Sequence, residues 1–240
     1  MRLLAMDTAT SAITVAVHDG DRLLASRSAL DARRHTELLA PLLLEALEEA
    51  ETTPEQVTHV AVGTGPGPFT GLRVGLVTAQ TFAHARGITV HGVCSLDSLA
   101  AAAAAEGHEG ELLVATDARR KEVYSARYRC AAGEAVAVDE PAVAKPADLP
   151  DDVRALPTVG RAPGLYPDLL PHGLALLDVD AGVLAEVAAR RIVDGADMPV
   201  EPLYLRRPDA AVPAAPKSAL VPPRQQQPRR DAPAAGQAQQ

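Results

Sequence analysis

The chain has 240 residues, enough for one large domain or two small lobes around a buried core. Hydrophobic residues make up 47 % but aromatics only 2 %, with no tryptophan. The core must therefore be Ala, Leu and Val, and the base-stacking platform of a stand-alone RNA reader is excluded. The formal net charge is −8, although residues 210–240 are basic on balance, with Lys217, Arg224, Arg229 and Arg230 against Asp231. So acidic a body does not hold nucleic acid unaided.

In chain order, Arg2–Met6 reads as a strand, DTATS as a polar turn, and Ala12–His18 as a second strand. Asp19-Gly20 makes a hairpin turn into a third strand, Arg22–Leu30. Arg34–Glu51 follows as a helix, His59–Gly63 as a buried strand, Thr70–Arg86 as a helix and Ile88–Val93 as a strand. The alanine-rich run Ser95–Glu106 is expected to be a connecting helix.

The pattern then restarts. LLAMDTATSAITVAVHDGDRLLA from Leu3 resembles LLVATDARRKEVYSARYRCAAGEAVA from Leu112, which places Asp7 and Asp117 alike. Val159-Gly160, a helix near Pro163–Leu170, a strand Leu174–Leu177 and a helix Ala181–Asp194 complete a degraded copy. Internal repetition of this kind implies two lobes of common design, 1–94 and 95–209. Meanders followed by alternating helices and strands imply mixed sheets flanked by helices. Residues 210–240, rich in Pro, Ala and Gln, bury too little to offset ordering entropy and are expected to be disordered.

Cys94 and Cys130 make neither a disulfide framework nor a metal cluster. The N-terminal run MRLLAMDTATSAITVAV is broken by polar Asp7–Ser11, unlike a signal peptide. No segment is long enough to span a membrane, so a cytoplasmic protein is expected.

The stretch GTGPGPFTGLRVG, from Gly63 to Gly75, is rich enough in glycine to suggest a phosphate loop. It contains no lysine, unlike GxxxxGK[ST], and Pro66 and Pro68 remove N–H donors that a phosphate would use. Phosphate at the helix N-terminus stays open as the lesser alternative. Gly63, Gly65 and Gly67 are read instead as permitting a sharp strand-to-helix turn.

Gly71, Gly75, Ala79 and Ala83 recur every fourth residue, a row of small residues into which another helix can pack closely. Arg73, Gln80 and His84 form a narrow polar strip on the same helix. In the preceding helix, Leu38, Leu39, Leu42, Leu43, Ala46, Leu47 and Ala50 span about 180°, wider than the roughly 100° of a core-facing stripe. Pro41 deletes one backbone bond inside that helix and is expected to kink it. Either the chain covers both helices itself, or they form a helical interface.

Several motifs carry a family resemblance: MDTAT, RRHTELLAPLL, GTGPGPFTGLRVG, SLDSLA, DARRKEVY and PLYLRRPDA. Two lobes with leading strand–Asp–turn–strand hairpins resemble the actin-like ATPase superfamily, and these motifs narrow the match to the TsaB family, from Met1 to about Asp209. GPGPFTGLRVG is the most specific; members often carry Ser where this chain has Pro68. The resemblance implies a two-lobed actin-like α/β fold and a dimerisation subunit that is no enzyme by itself. Its implied partner is a TsaD-like catalytic subunit, which transfers threonylcarbamoyl to N6 of the adenosine beside the tRNA anticodon. A TsaE-like ATPase would join the complex, a homodimer would form when the partner is absent, and tRNA would be met only through the complex. The interface is then expected at Leu39, Leu43, Ala46, Gly71, Gly75, Leu76, Ala79 and Ala83.

No catalytic residue, cofactor or metal is expected. TsaD-like enzymes hold a metal through two histidines one helical turn apart, which places both rings on one helix face. Here His35 is followed at that spacing by Leu39, and no other histidine pair has it. Asp7 and Asp117 are read as turn-shaping acceptors. The alternative is paired carboxylates holding Mg²⁺ or water, as in a small-molecule kinase of the superfamily. A metallopeptidase is a second rival, disfavoured by the missing histidine pair.

Overall fold

The computed structural model describes residues 1–206; the expectation for 210–240 lies outside them. β1 (Leu3–Asp7), β2 (Ala12–His18) and β3 (Leu23–Leu30) form an antiparallel meander. α1 (His35–Glu49) leads to β4 (His59–Gly63), then α2 (Phe69–Arg86) to β5 (Thr89–Val93). β4 pairs parallel with β1 and β5 parallel with β4, giving the order β3-β2-β1-β4-β5.

α3 (Ser95–Ala105) crosses to the second sheet. There β6 (Gly110–Asp117) pairs antiparallel with β7 (Val123–Ala131), which pairs with β8 (Glu134–Ala137) and β9 (Ala142–Ala144). After the single-turn α4 (Asp151–Arg154), β10 (Thr158–Val159) pairs parallel with β6. The single-turn α5 (Ala162–Leu165) and the longer α6 (Ala181–Val193) follow. The two sheets are mixed and flanked by helices. Asp7 and Asp117 each close a leading strand, opposite Thr14 and Val123.

Two expectations are corrected in the second half. Leu174–Leu177 is not a strand: the chain only touches β10, through Leu174 N–H to the Thr158 carbonyl and Gly160 N–H to the Leu176 carbonyl. The helix near Pro163–Leu170 stops at Leu165, because Pro167 offers no N–H and disfavours a helical conformation in Tyr166.

Strand alternation organises the core. Leu3 and Ala5 of β1, with Leu112 and Val114 of β6, point inward onto α3 and α6. Nine residues of α3 are buried, seven of them Ala or Leu, and small residues let α3 and α6 pack closely between the sheets, where, among the described residues, Tyr128 of β7 is the one buried aromatic. Leu4 and Met6 point outward onto α1 and α2. Leu113 and Ala115 point outward onto a smaller cluster with Val153, Ala162 and Leu170. Among the described residues no helix is long and apolar enough to cross a membrane.

Candidate functional site

The glycines of Gly63–Gly75 make room for the β1–β2 turn. A Cβ on Gly63 would collide with the Asp7 carboxylate, and one on Gly67 would lie 2.5 Å from the Ala9 carbonyl. Gly71 admits the Thr8 carbonyl, with a Cβ there only 2.7 Å away, and Gly75 admits Thr8 Oγ1 at 2.6 Å. The Thr8 hydroxyl donates to the Gly71 carbonyl at 2.7 Å and accepts from Gly75 N–H at 3.0 Å. It thus satisfies polar groups one helical turn apart and pins the turn to α2.

Asp7 lies beneath this turn, fully buried. Its carboxylate accepts from Ser95 Oγ at 2.5 Å and Ala9 N–H at 2.7 Å, while Ser95 Oγ accepts from Gly65 N–H at 3.1 Å. Burial lifts its pKa to about 6, with the charge of Asp178 adding to the rise and the hydrogen bonds from Ser95 and Ala9 opposing it. One carboxylate thus ties the meander, the glycine loop and the start of α3 together.

Above the turn lies a cleft of about 220 Å³, lined by Thr8–Ser11, the entry to α1, the first turn of α2, Asp117, Arg119, Arg161 and Asp178. Asp117 lines it and Asp7 does not. Asp117 accepts from Arg119 N–H at 2.7 Å and pairs with its guanidinium at 3.0 Å. Arg161 grips Asp178 through two nitrogens, and Asp178 also accepts from Ser11 N–H. His35 is buried, with Nε2 3.3 Å from the Thr10 carbonyl. Among the described residues no three His, Cys, Asp or Glu side chains gather as a metal site. Burial, reinforced by the Asp97 charge, pushes the Cys94 thiol up to about 12, which keeps it an unreactive thiol.

All eight residues expected at a partner surface are buried in this chain. Leu39, Leu43, Ala46, Leu76, Ala79 and Ala83 belong to the core on the outer face of the first sheet, while Gly71 and Gly75 receive Thr8. The row of small residues is thus filled from within, by the β1–β2 turn and the sheet. The outward faces of the same helices carry other residues: Leu44 is 63 % exposed, Val77 58 % and Phe69 48 %. The small-residue spacing drew attention to the buried side of α2 and not to these exposed side chains.

Phe69 stands beside Tyr204, with ring centroids 5.3 Å apart. The Arg73 guanidinium carbon lies 3.7 Å from the centre of the Phe69 ring, and Arg73 Nε donates to Tyr204 Oη at 3.0 Å. The segment bearing Tyr204 is held along its length: Gly92 N–H donates to the Met198 carbonyl, Leu203 N–H to the Thr64 carbonyl, and Arg206 pairs with Glu122.

Comparison with known proteins places this architecture. The family described as "TsaD: tRNA N6-adenosine threonylcarbamoyltransferase" matches residues 28–156. The Escherichia coli tRNA threonylcarbamoyladenosine biosynthesis protein TsaB is 33 % identical over 220 residues, 86 % of this chain and 95 % of that protein. The chain belongs to the TsaB family. An uncharacterised Mycobacterium leprae protein is 43 % identical over 212 residues, 87 % of this chain; the match spans 55 % of that longer relative. The family fold is also seen in the solved structure of YeaZ from Pseudomonas aeruginosa. It superimposes with a TM-score of 0.74 at 31 % identity, over 85 % of this chain and 99 % of that one.

Proposed function

We propose that this chain is a non-catalytic subunit of tRNA threonylcarbamoyladenosine biosynthesis. It binds a TsaD-like catalytic subunit through the outward faces of α1 and α2 and holds it in working form. The observation that carries this is surplus apolar surface: after the inward stripes of both helices are used in the core, Leu44, Phe69 and Val77 still stand exposed. Exposed apolar surface, where it is contiguous, marks interaction sites. The eight buried residues are the backing of that surface. A TsaE-like ATPase joins the complex, tRNA is met through the complex in the cytoplasm, and the same face pairs two copies when the partner is absent.

The buried Asp7 supports a silent chain. A kinase of this architecture would need that carboxylate in the cleft, but it is bound to Ser95 and Ala9 beneath it. The test is titration of the purified chain against a TsaD-like chain from the same organism, by calorimetry, with assays of the two chains separately and together. Binding by wild type, weakened at least tenfold in Leu44→Asp/Val77→Asp with an unchanged melting temperature, is the expected result. Threonylcarbamoyl transfer or ATP hydrolysis by the isolated chain, lost in Asp117→Ala, would overturn the silent role.

A further inference from the structure

Two of the chain's six aromatic side chains bracket one exposed cation at the start of α2. Arg73 lies over the Phe69 ring and gives Nε to Tyr204 Oη. Among the described residues it takes part in no ion pair, although most of the described arginines do, such as Arg161 with Asp178 and Arg206 with Glu122. Its lateral position is set by the ring contact and the Nε bond, so its two terminal nitrogens are presented with little rotamer freedom left to lose. Phe69, Arg73 and Val77 form one ridge at four-residue spacing, apolar on either side of the charge.

We propose that Arg73 is the anchor of the partner interface, and that the segment docking there presents an Asp or Glu carboxylate flanked by apolar side chains. This rests on the interface proposed above. Charge complementarity selects the occupant: a planar guanidinium whose two terminal nitrogens make no hydrogen bond or ion pair among the described residues matches a carboxylate through two parallel hydrogen bonds. The flanking Phe69 and Val77 exclude water from that pair once covered. Arg with neighbouring aromatics is the composition enriched where a few residues carry most of the binding. Tyr204 is a positioning residue, acting through Arg73 Nε.

The experiment titrates wild type, Arg73→Ala, Arg73→Lys and Tyr204→Phe against the TsaD-like chain, with melting temperatures and sedimentation of each variant by itself. Arg73→Ala should weaken binding at least tenfold. Arg73→Lys should lie nearer Ala than wild type, because an ammonium neither stacks nor forks. Tyr204→Phe should weaken it by a smaller factor. Reversing the matching partner carboxylate to Arg should restore binding to Arg73→Glu. Folded Arg73→Ala that binds like wild type, or Arg73→Lys that binds like wild type, overturns the anchor while leaving the interface standing. A change in self-association with partner affinity intact means the occupant is a second copy, and also overturns it. Absence of binding by wild type removes the interface itself.

Discussion

The two sheets begin alike and are covered differently. On the first, Leu4 and Met6 meet α1 and α2, of 15 and 18 residues, and a core that includes six leucines from those helices. On the second, the equivalent Leu113 and Ala115 meet two four-residue helices and the loops around them. Glycine usage follows. Gly63 is pressed against the Asp7 carboxylate and Gly67, Gly71 and Gly75 against the β1–β2 turn; on the second sheet a loop glycine, Gly160, is pressed against the Ala115 carbonyl, whereas a Cβ on Gly164 in α5 would meet nothing within 4 Å. A long helix can approach a sheet closely only if something small lies at the contact. A one-turn helix over loops makes no such demand.

The sharpest way to break this comparison is Gly63→Ala. Its methyl group would occupy the place of the Asp7 carboxylate, and neither the buried acid nor the strand can move aside. We expect a loss of about 3 kcal/mol or more, seen as a large drop in urea midpoint or in soluble yield. A mild effect would show that the turn is loosely held.

Next is the pH dependence carried by Asp7. Its folded pKa is raised, from 3.8 to about 6, so the folded form holds the proton more tightly than the unfolded chain. The associated stability is fully present below 3.8 and is lost as pH rises through about 6, with a total of about 3 kcal/mol. Asp7→Asn keeps an acceptor for Ala9 and offers a donor to Ser95. It should flatten that decline in urea titrations between about pH 4 and 7. Parallel curves for the two proteins would mean that Asp7 ionises freely.

Thr8→Val keeps the shape of the pin and removes its hydroxyl. The loss of a donor to Gly71 and an acceptor for Gly75 should cost about 1–3 kcal/mol, with Thr8→Ser retaining most of the stability. The smallest effect belongs to the other half. Gly164→Ala, in open space inside α5, should be neutral or stabilising by up to about 1 kcal/mol. A clear destabilisation there would show that the second half is packed as tightly as the first.

Much of the first half was legible. The meander, β4, α2 and β5 follow from alternation, helical periodicity and the Asp19-Gly20 turn, and the repeat aligned Asp7 with Asp117. Helices of 11 residues or more were found because their apolar spacing persists over several turns. The segments Pro163–Leu170 and Leu174–Leu177 were misread because single turns and isolated bridges leave no period to detect. The site was less legible. Spacing showed that Gly71, Gly75, Ala79 and Ala83 share a face, but not that Thr8, more than sixty residues earlier, fills part of it. Ala79→Leu would therefore overpack the chain's own core. Nor does sequence reveal that Arg119, Arg120 and Lys121 all adopt positive φ, since glycine is what usually signals that conformation. The Arg73 contact with Tyr204 depends on a distant segment returning beside α2.

The Thr8 pin also determines which movements α2 can make. Sliding the helix along its axis by one turn, which keeps the same face toward the sheet, would bring Ala79 to the place of Gly75, where a Cβ would lie 2.6 Å from Thr8 Oγ1. That register is therefore closed to it. The helix and the floor of the cleft can shift only as one body, so a partner that displaces α2 displaces Thr8, Ala9 and the carboxylate beneath them in the same stroke.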